Sequence, residues 1–181
     1  HHSLTLRSGK EPRHQLSFAT FDRTWQRAGR WALVILPPGQ ISASATPLAC
    51  LEAVHSLHQT GQPGPALIAY RAAGERWPRD PLVLMALGNA EYAAGNLGSA
   101  DAVLRELVRQ YPANADAWNN LAYVLSAGEC PGEAREAIDC ARRLAPDDLN
   151  IRDSARELSE HPAPTATSCP PVNCPIAGTS Y

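Results

Sequence analysis

The feature that most constrains this chain is a period. Segment 47–80 lies over 81–114 and 115–148 without a gap, and the special positions coincide at a spacing of 34 residues. Ala66, Ala100 and Ala134 share one column, Tyr70, Leu104 and Ile138 a second, and Pro78, Pro112 and Pro146 a third. Asp80, Asn114 and Asp148 close the three copies, each with a side-chain oxygen suited to cap the helix that follows. A chain that repeats at this length builds one supersecondary unit several times over and buries apolar faces between neighbours.

The columns have a physical reading. Small residues at Gly88, Ala100, Ala122 and Ala134 let two antiparallel helices approach closely, while Tyr70, Leu104, Trp118 and Leu121 fill the space to the next helix. Thr46-Pro47 and Asp80-Pro81 put a capping residue ahead of a proline at the first helical position. The prolines at 78, 112 and 146 turn the residue before each away from the α region and stop a helix there. The pattern predicts helices over 47–60, 63–77, 81–94, 97–110, 115–127 and 131–144.

These residues resemble the tetratricopeptide repeat, whose signature is W-x2-L-G-x2-Y, then A-x3-F, then P. The third copy matches best, with Trp118, Leu121, Ala122, Leu125, Ala134, Ile138, Ala141 and Pro146; the second has Leu84, Leu87, Gly88, Ala100, Leu104 and Pro112. The first is degenerate, with Cys50, Ala53 and Val54 at its signature positions, but regular at Ala66, Tyr70, Ala73 and Pro78. The resemblance implies a mainly α fold: a three-repeat α-solenoid over 47–160, with repeats 47–80, 81–114 and 115–148 and a capping helix over 149–160. In that cap Leu149, Ile151, Ala155 and Leu158 face inward. The Pro-, Thr- and Ser-rich tail 161–181 is expected to be mobile or loosely packed.

In this family the first helix of each repeat lines a concave groove where partners bind. Residues one helical turn apart on those helices are Leu51, His55 and His58, then Met85, Asn89 and Tyr92, then Asn119, Tyr123 and Ser126. The groove implied is apolar to mildly polar. Some tetratricopeptide domains hold a peptide's terminal carboxylate with lysines and asparagines; Asn89 and the Asn119-Asn120 pair echo the asparagines, but the one lysine of the chain is Lys10, outside every repeat, so that clamp is not expected. His55 and His58 stand at i, i+3 without a third ligand in the repeat register and are read as groove or surface residues, not a metal site.

The first forty residues do not follow the period. Residues 3–9 read as a strand, 10–15 as a charged turn, Gln15 to Phe18 as a short second strand, and 19–29 as a helix capped by Thr20 with Phe21 and Trp25 one turn apart. The run WALVIL, 31–36, is six residues where a membrane span needs about twenty, and it reads as a buried strand ending at Pro37-Pro38-Gly39. Phe21, Trp25, Trp31 and Pro37-Pro38-Gly39 resemble the C-terminal edge of the bacteriocin-processing, papain-like cysteine peptidases that cleave after a double-glycine leader. The resemblance implies that 1–39 is a peptidase-like remnant of two or three strands and one short helix, joined by a linker, 40–46, to the repeats. Catalysis does not carry over: no cysteine precedes Cys50, Ser8 stands near the place of the family's orienting acid, and His1-His2 have no partner.

The net charge of −2 offers no electrostatic footprint for nucleic acid or a membrane surface. Cys50, Cys130, Cys140, Cys169 and Cys174 show no metal spacing; they are expected to be idle thiols, with a local Cys169–Cys174 disulfide open in an oxidising compartment. The expectation is therefore a non-enzymatic protein-interaction module that takes a peptide or partner protein in its groove and needs no cofactor. The alternative is the C-terminal piece of a peptidase-like cysteine protein whose repeats recruit substrate or regulate a missing active site. Unpaired edges at Leu4, Leu6, Phe18, Trp31 and Val34 predict that the N-terminal segment folds back or forms a homodimer. The resemblance to envelope proteins favours a periplasmic location over a cytoplasmic one.

Overall fold

The computed structural model describes residues 3–8, 10–27, 35–160 and 169–174. The chain divides into two compact units, His1–Ile35 and Leu36–Tyr181.

In the first unit β1 (Ser3–Ser8) pairs antiparallel with β2 (Glu11–Ser17). Leu4 faces Leu16 and Ser8 faces Glu11, with an irregularity between Leu6 and Ser8. The charged stretch read as a turn is thus mostly strand. Lys10 is in a turn, and the exposed Glu11, Arg13 and His14 cost nothing on a strand that faces water. Helix α1 (Phe18–Arg27) begins ahead of the expected Thr20, because Ser17 Oγ accepts from the Thr20 amide and so caps it. Phe21 and Trp25 meet as expected, with ring centroids 5.5 Å apart. The strand expected over 31–36 falls mostly on residues 31–34, outside the described residues; Ile35 and Leu36 belong to no strand.

Among its described residues the second unit stacks seven helices: α2 (Pro47–Gln59), α3 (Pro63–Arg76), α4 (Pro81–Ala93), α5 (Leu97–Gln110), α6 (Ala115–Ala127), α7 (Pro131–Leu144) and α8 (Leu149–Glu160). Every bound lies within one residue of the sequence expectation, because the caps are local chemistry. Thr46, Asp80, Asn114 and Asp148 each accept backbone N–H groups of the turn that follows. Trp77, Tyr111 and Ala145, each ahead of a proline, share one non-helical conformation, with φ/ψ of −128/65°, −128/66° and −136/73°. The proline ring imposes it three times.

Helices pack as hairpins α2–α3, α4–α5 and α6–α7, and each hairpin packs on the next. Gly88 is there for proximity: a Cβ on it would stand 2.8 Å from the Leu104 side chain. The larger core cluster centres on the buried Leu104, Leu107, Trp118, Leu121, Ile138 and Ile151; a smaller one joins Val54, Ala66 and Tyr70 of the first repeat to Leu87 of the second. Trp118 buries its ring and still satisfies its indole N–H, which donates to the Pro112 carbonyl at 2.9 Å. Residues 37–46 turn back onto the first repeat, where Arg76 donates to the Ala43 carbonyl at 3.2 Å.

The tail departs most from expectation. Cys130 is joined to Cys169 and Cys140 to Cys174, so neither the local Cys169–Cys174 bridge nor idle thiols at these four positions hold. Residues 169–174 are strapped along α7, Val172 is buried in the larger core cluster, and Arg105 of α5 donates to the Pro170 and Pro171 carbonyls at 2.9 Å each. The reason is a match of lengths. Cys130 to Cys140 is ten helical steps, about 15 Å, and Cys169 to Cys174 is five extended steps, about 17 Å. The C-x4-C spacing fits a pair of cysteines three turns apart on a helix.

Candidate functional site

Helices α2, α4, α6 and α8 touch in succession, so the first helix of each repeat contributes to one continuous face. The residues expected to line the groove stand on α2, α4 and α6 in three columns 34 apart: Leu51, Met85 and Asn119; His55, Asn89 and Tyr123; His58, Tyr92 and Ser126.

The structure ties part of this set together. Asn120 Nδ2 donates across the α4–α6 seam to Asn89 Oδ1 at 2.8 Å and lies 3.1 Å from the Met85 sulfur. Asn119 Nδ2 reaches Asn120 Oδ1 at 3.4 Å, while Asn119 Oδ1 is buried and has no donor among the described residues. On the next seam the Tyr123 hydroxyl donates to Glu157 of α8 at 2.7 Å. Burial, helped by the Glu157 carboxylate and opposed by the Ser154 hydroxyl, pushes the Tyr123 phenol up, so at neutral pH it keeps the proton it donates to Glu157. Tyr92, 39% exposed, is open to a partner.

Other members stand apart. Leu51 packs half-buried against the smaller core cluster. His55 engages Gln59 of its own helix at 2.8 Å, and His58 is exposed. Ser126 lines a cleft between α7 and α8. Sequence reasoning missed the bridging role of Asn120 and the arrival of Glu157. The signal for the second was present, since Glu157 is Tyr123 advanced by one more period (123 + 34 = 157). The same step places Asp153 and Glu160 in the other two columns, so the row ends in exposed carboxylates on α8.

Cys50, the one free thiol, is half-buried, and desolvation pushes it up despite the opposing charge of Arg76. Cys130, Glu133 and Cys169 bring three ligand-type atoms within 4.8 Å of one another, but two of these are the sulfurs of one disulfide and do not act as thiolate ligands. No helix among the described residues is long and apolar enough to cross a membrane.

Comparison with known proteins agrees with this architecture. A family model described as "Tetratricopeptide repeat" matches residues 82–124, the span from α4 to α6. No curated protein matches the sequence. Among solved structures, the first tetratricopeptide domain of Spaghetti (RPAP3), bound to the HSP90 peptide SRMEEVD, is 16% identical with a TM-score of 0.57, covering 63% of this chain and 90% of that one. The MamA RS-1 ArsTM double mutant is 17% identical with a TM-score of 0.54, covering 78% and 77%. The Sec complex from S. cerevisiae contains a chain 17% identical with a TM-score of 0.55, covering 80% and 87%. At these identities the likeness is one of fold. The repeat unit is a tetratricopeptide-type α-solenoid.

Proposed function

We propose that the chain binds an extended segment of a partner protein along the face formed by α2, α4, α6 and α8, and that it catalyses no reaction. The observation that carries this reading is the asparagine row at the α4–α6 seam. The core does not need Asn89, Asn119 and Asn120, and the Asn119 carbonyl oxygen lacks the donor that a backbone N–H would supply. The solved structure in which a similarly folded domain holds a peptide supports the same mode. With no lysine in the repeats and with Asp153, Glu157 and Glu160 at one end, the segment favoured is basic toward α8, unlike an acidic C-terminal peptide.

The test is a peptide display selection against the folded chain, followed by Asn89→Ala/Asn120→Ala. Selected peptides should lose about tenfold or more in affinity, two hydrogen bonds' worth, with the melting temperature nearly unchanged. Peptides that bind the variant as well as the parent would sink the reading.

A second reading, that the chain belongs to a larger peptidase-like protein whose repeats recruit substrate, is supported by the hairpin-then-helix order of the first unit and its Phe21–Trp25 contact. Among the described residues the sheet has two strands and no third, and edges left unpaired in this way favour a homodimer through that unit. The two disulfides support an oxidising location such as the periplasm.

A further inference from the structure

The cleft between α7 and α8, 570 Å³ in volume, shares no lining residue with the asparagine row. Its α8 wall is formed by Arg152, Ala155, Arg156, Leu158 and Ser159. One period earlier these positions are Trp118, Leu121, Ala122, Val124 and Leu125 of α6, every one of them buried in the core to which α7 also contributes. On the opposite wall Ala134 and Ile138 of α7 correspond to Ala100 and Leu104 of α5, which are buried. The cleft is therefore the slot in which the second helix of a fourth repeat would pack, and α8 has no such partner among the described residues.

The slot is not a copy of the earlier ones. Arg152 and Arg156 replace Trp118 and Ala122, and Arg135 and Arg142 stand on the α7 rim. An adjoining cleft that shares Arg142 and Arg152 adds Arg143. Five arginines thus line the two clefts against the single carboxylate of Asp139, in a chain whose net charge is −2. Arg142 is paired with Asp139 at 3.3 Å and Arg156 with Asp153 at 2.8 Å. Arg135, Arg143 and Arg152 have no ion pair among the described residues. The floor stays apolar through Ala134, Ile138, Ala155 and Leu158. From Pro131 to Arg142 the α7 wall runs eleven helical steps, about 16 Å or three turns.

We infer that this cleft is a docking site for an acidic amphipathic helix of a partner protein, which completes the fourth repeat in trans. The apolar stripe of that helix would cover the half-buried Ala155 and Leu158 over a floor of the already buried Ala134 and Ile138, and its carboxylates would meet the arginine rim, where the planar guanidinium donates bidentate pairs.

The probe is a fluorescein-labelled synthetic helix of about fifteen residues with leucine at i, i+3, i+4 and i+7 and glutamate on its flanks, compared with a twin carrying lysine for glutamate. Fluorescence anisotropy with the full chain should show the acidic peptide binding at least about tenfold more tightly, with the preference shrinking as salt rises from about 50 to about 300 mM. Arg152→Glu/Arg156→Glu, at two exposed positions, should abolish or invert the preference while a cooperative thermal melt shows that the chain still folds. Equal binding of the two peptides, or an acidic preference untouched by the double reversal, overturns the inference. So does a concentration-dependent dimer that the reversal dissolves, since that would assign the slot to a second copy.

Discussion

Arg71 of α3 grips Glu91 of α4 with two parallel hydrogen bonds, Nε at 2.6 Å from one carboxylate oxygen and Nη2 at 2.8 Å from the other. Glu91 is 3% exposed, and Asn96 also donates to it at 2.8 Å. The pair fastens the first repeat to the second, where the apolar cluster is smallest. The hydrogen bond from Arg71, more than its charge, holds the Glu91 carboxyl below its ordinary range, although burial acts in the opposite direction.

The pH dependence follows from that direction. A carboxylate lowered in the folded state contributes stability that is present above its unfolded value, near 4.3, and lost as pH falls through the folded value. Glu91→Gln should cost about 2 kcal/mol at pH 7. The gap between parent and variant should close as the pH drops below about 4. Urea denaturation of both proteins at pH 7 and pH 3.5 checks it; a gap that widens in acid would show that the charge is not what stabilises.

The turn between the helices of each repeat offers a second prediction. Gly61 and Gly95 adopt φ of 78° and 77°, and the third copy puts Glu129 in the same column at φ 61°. Left-handed backbone costs a residue with a Cβ more than it costs glycine. Glu129→Gly should therefore stabilise the chain by about 0.5–1 kcal/mol, the conformational gain less the added freedom of the unfolded chain. A lower melting temperature for this variant would contradict the argument.

Gly88 and Leu104 form the next column pair to test. The third repeat has Ala122 and Ile138 in these places, so alanine is acceptable there only with a different partner. Gly88→Ala alone should destabilise by about 1 kcal/mol, the overpacking against Leu104 outweighing the better helix former. Adding Leu104→Ile, which copies the third repeat, should recover most of the loss. Additive losses in the double variant would refute a shared packing cause.

The strap makes a redox prediction. The bridges span 39 and 34 residues, and each alone is worth about 3–4 kcal/mol in the chain-entropy account, less than the sum when both are present. Reductant should lower the melting temperature and expose the chain beyond Glu160 to proteolysis before the repeats. Mass spectrometry of an unreduced digest should find Cys130 linked to Cys169 and Cys140 to Cys174; a Cys169–Cys174 peptide would refute the strap.

Much of the architecture is local and so can be read from the chain. Thr46, Asp80, Asn114 and Asp148 start helices by bonding to amides two or three residues ahead, and Pro78, Pro112 and Pro146 end them through the residue just before. The 34-residue period then dictates that copies stack, because each leaves an apolar face that its neighbour covers. The groove columns follow from the same arithmetic, and one further step of it would have reached Glu157.

What the sequence did not carry depends on distances between segments remote in the chain. The cysteine pairing needed the length of an extended strap set against three turns of α7. Asn120, rather than Asn119, makes the seam contact because the crossing of α4 and α6, not the column count, decides which side chain meets Asn89. The arginine cleft exists because, among the described residues, no second helix follows α8, and only stacked helices show that its Arg152 and Arg156 occupy the places where Trp118 and Ala122 are covered. Periodicity determines which residues are equivalent; tertiary packing determines which of those equivalents are left open to a partner.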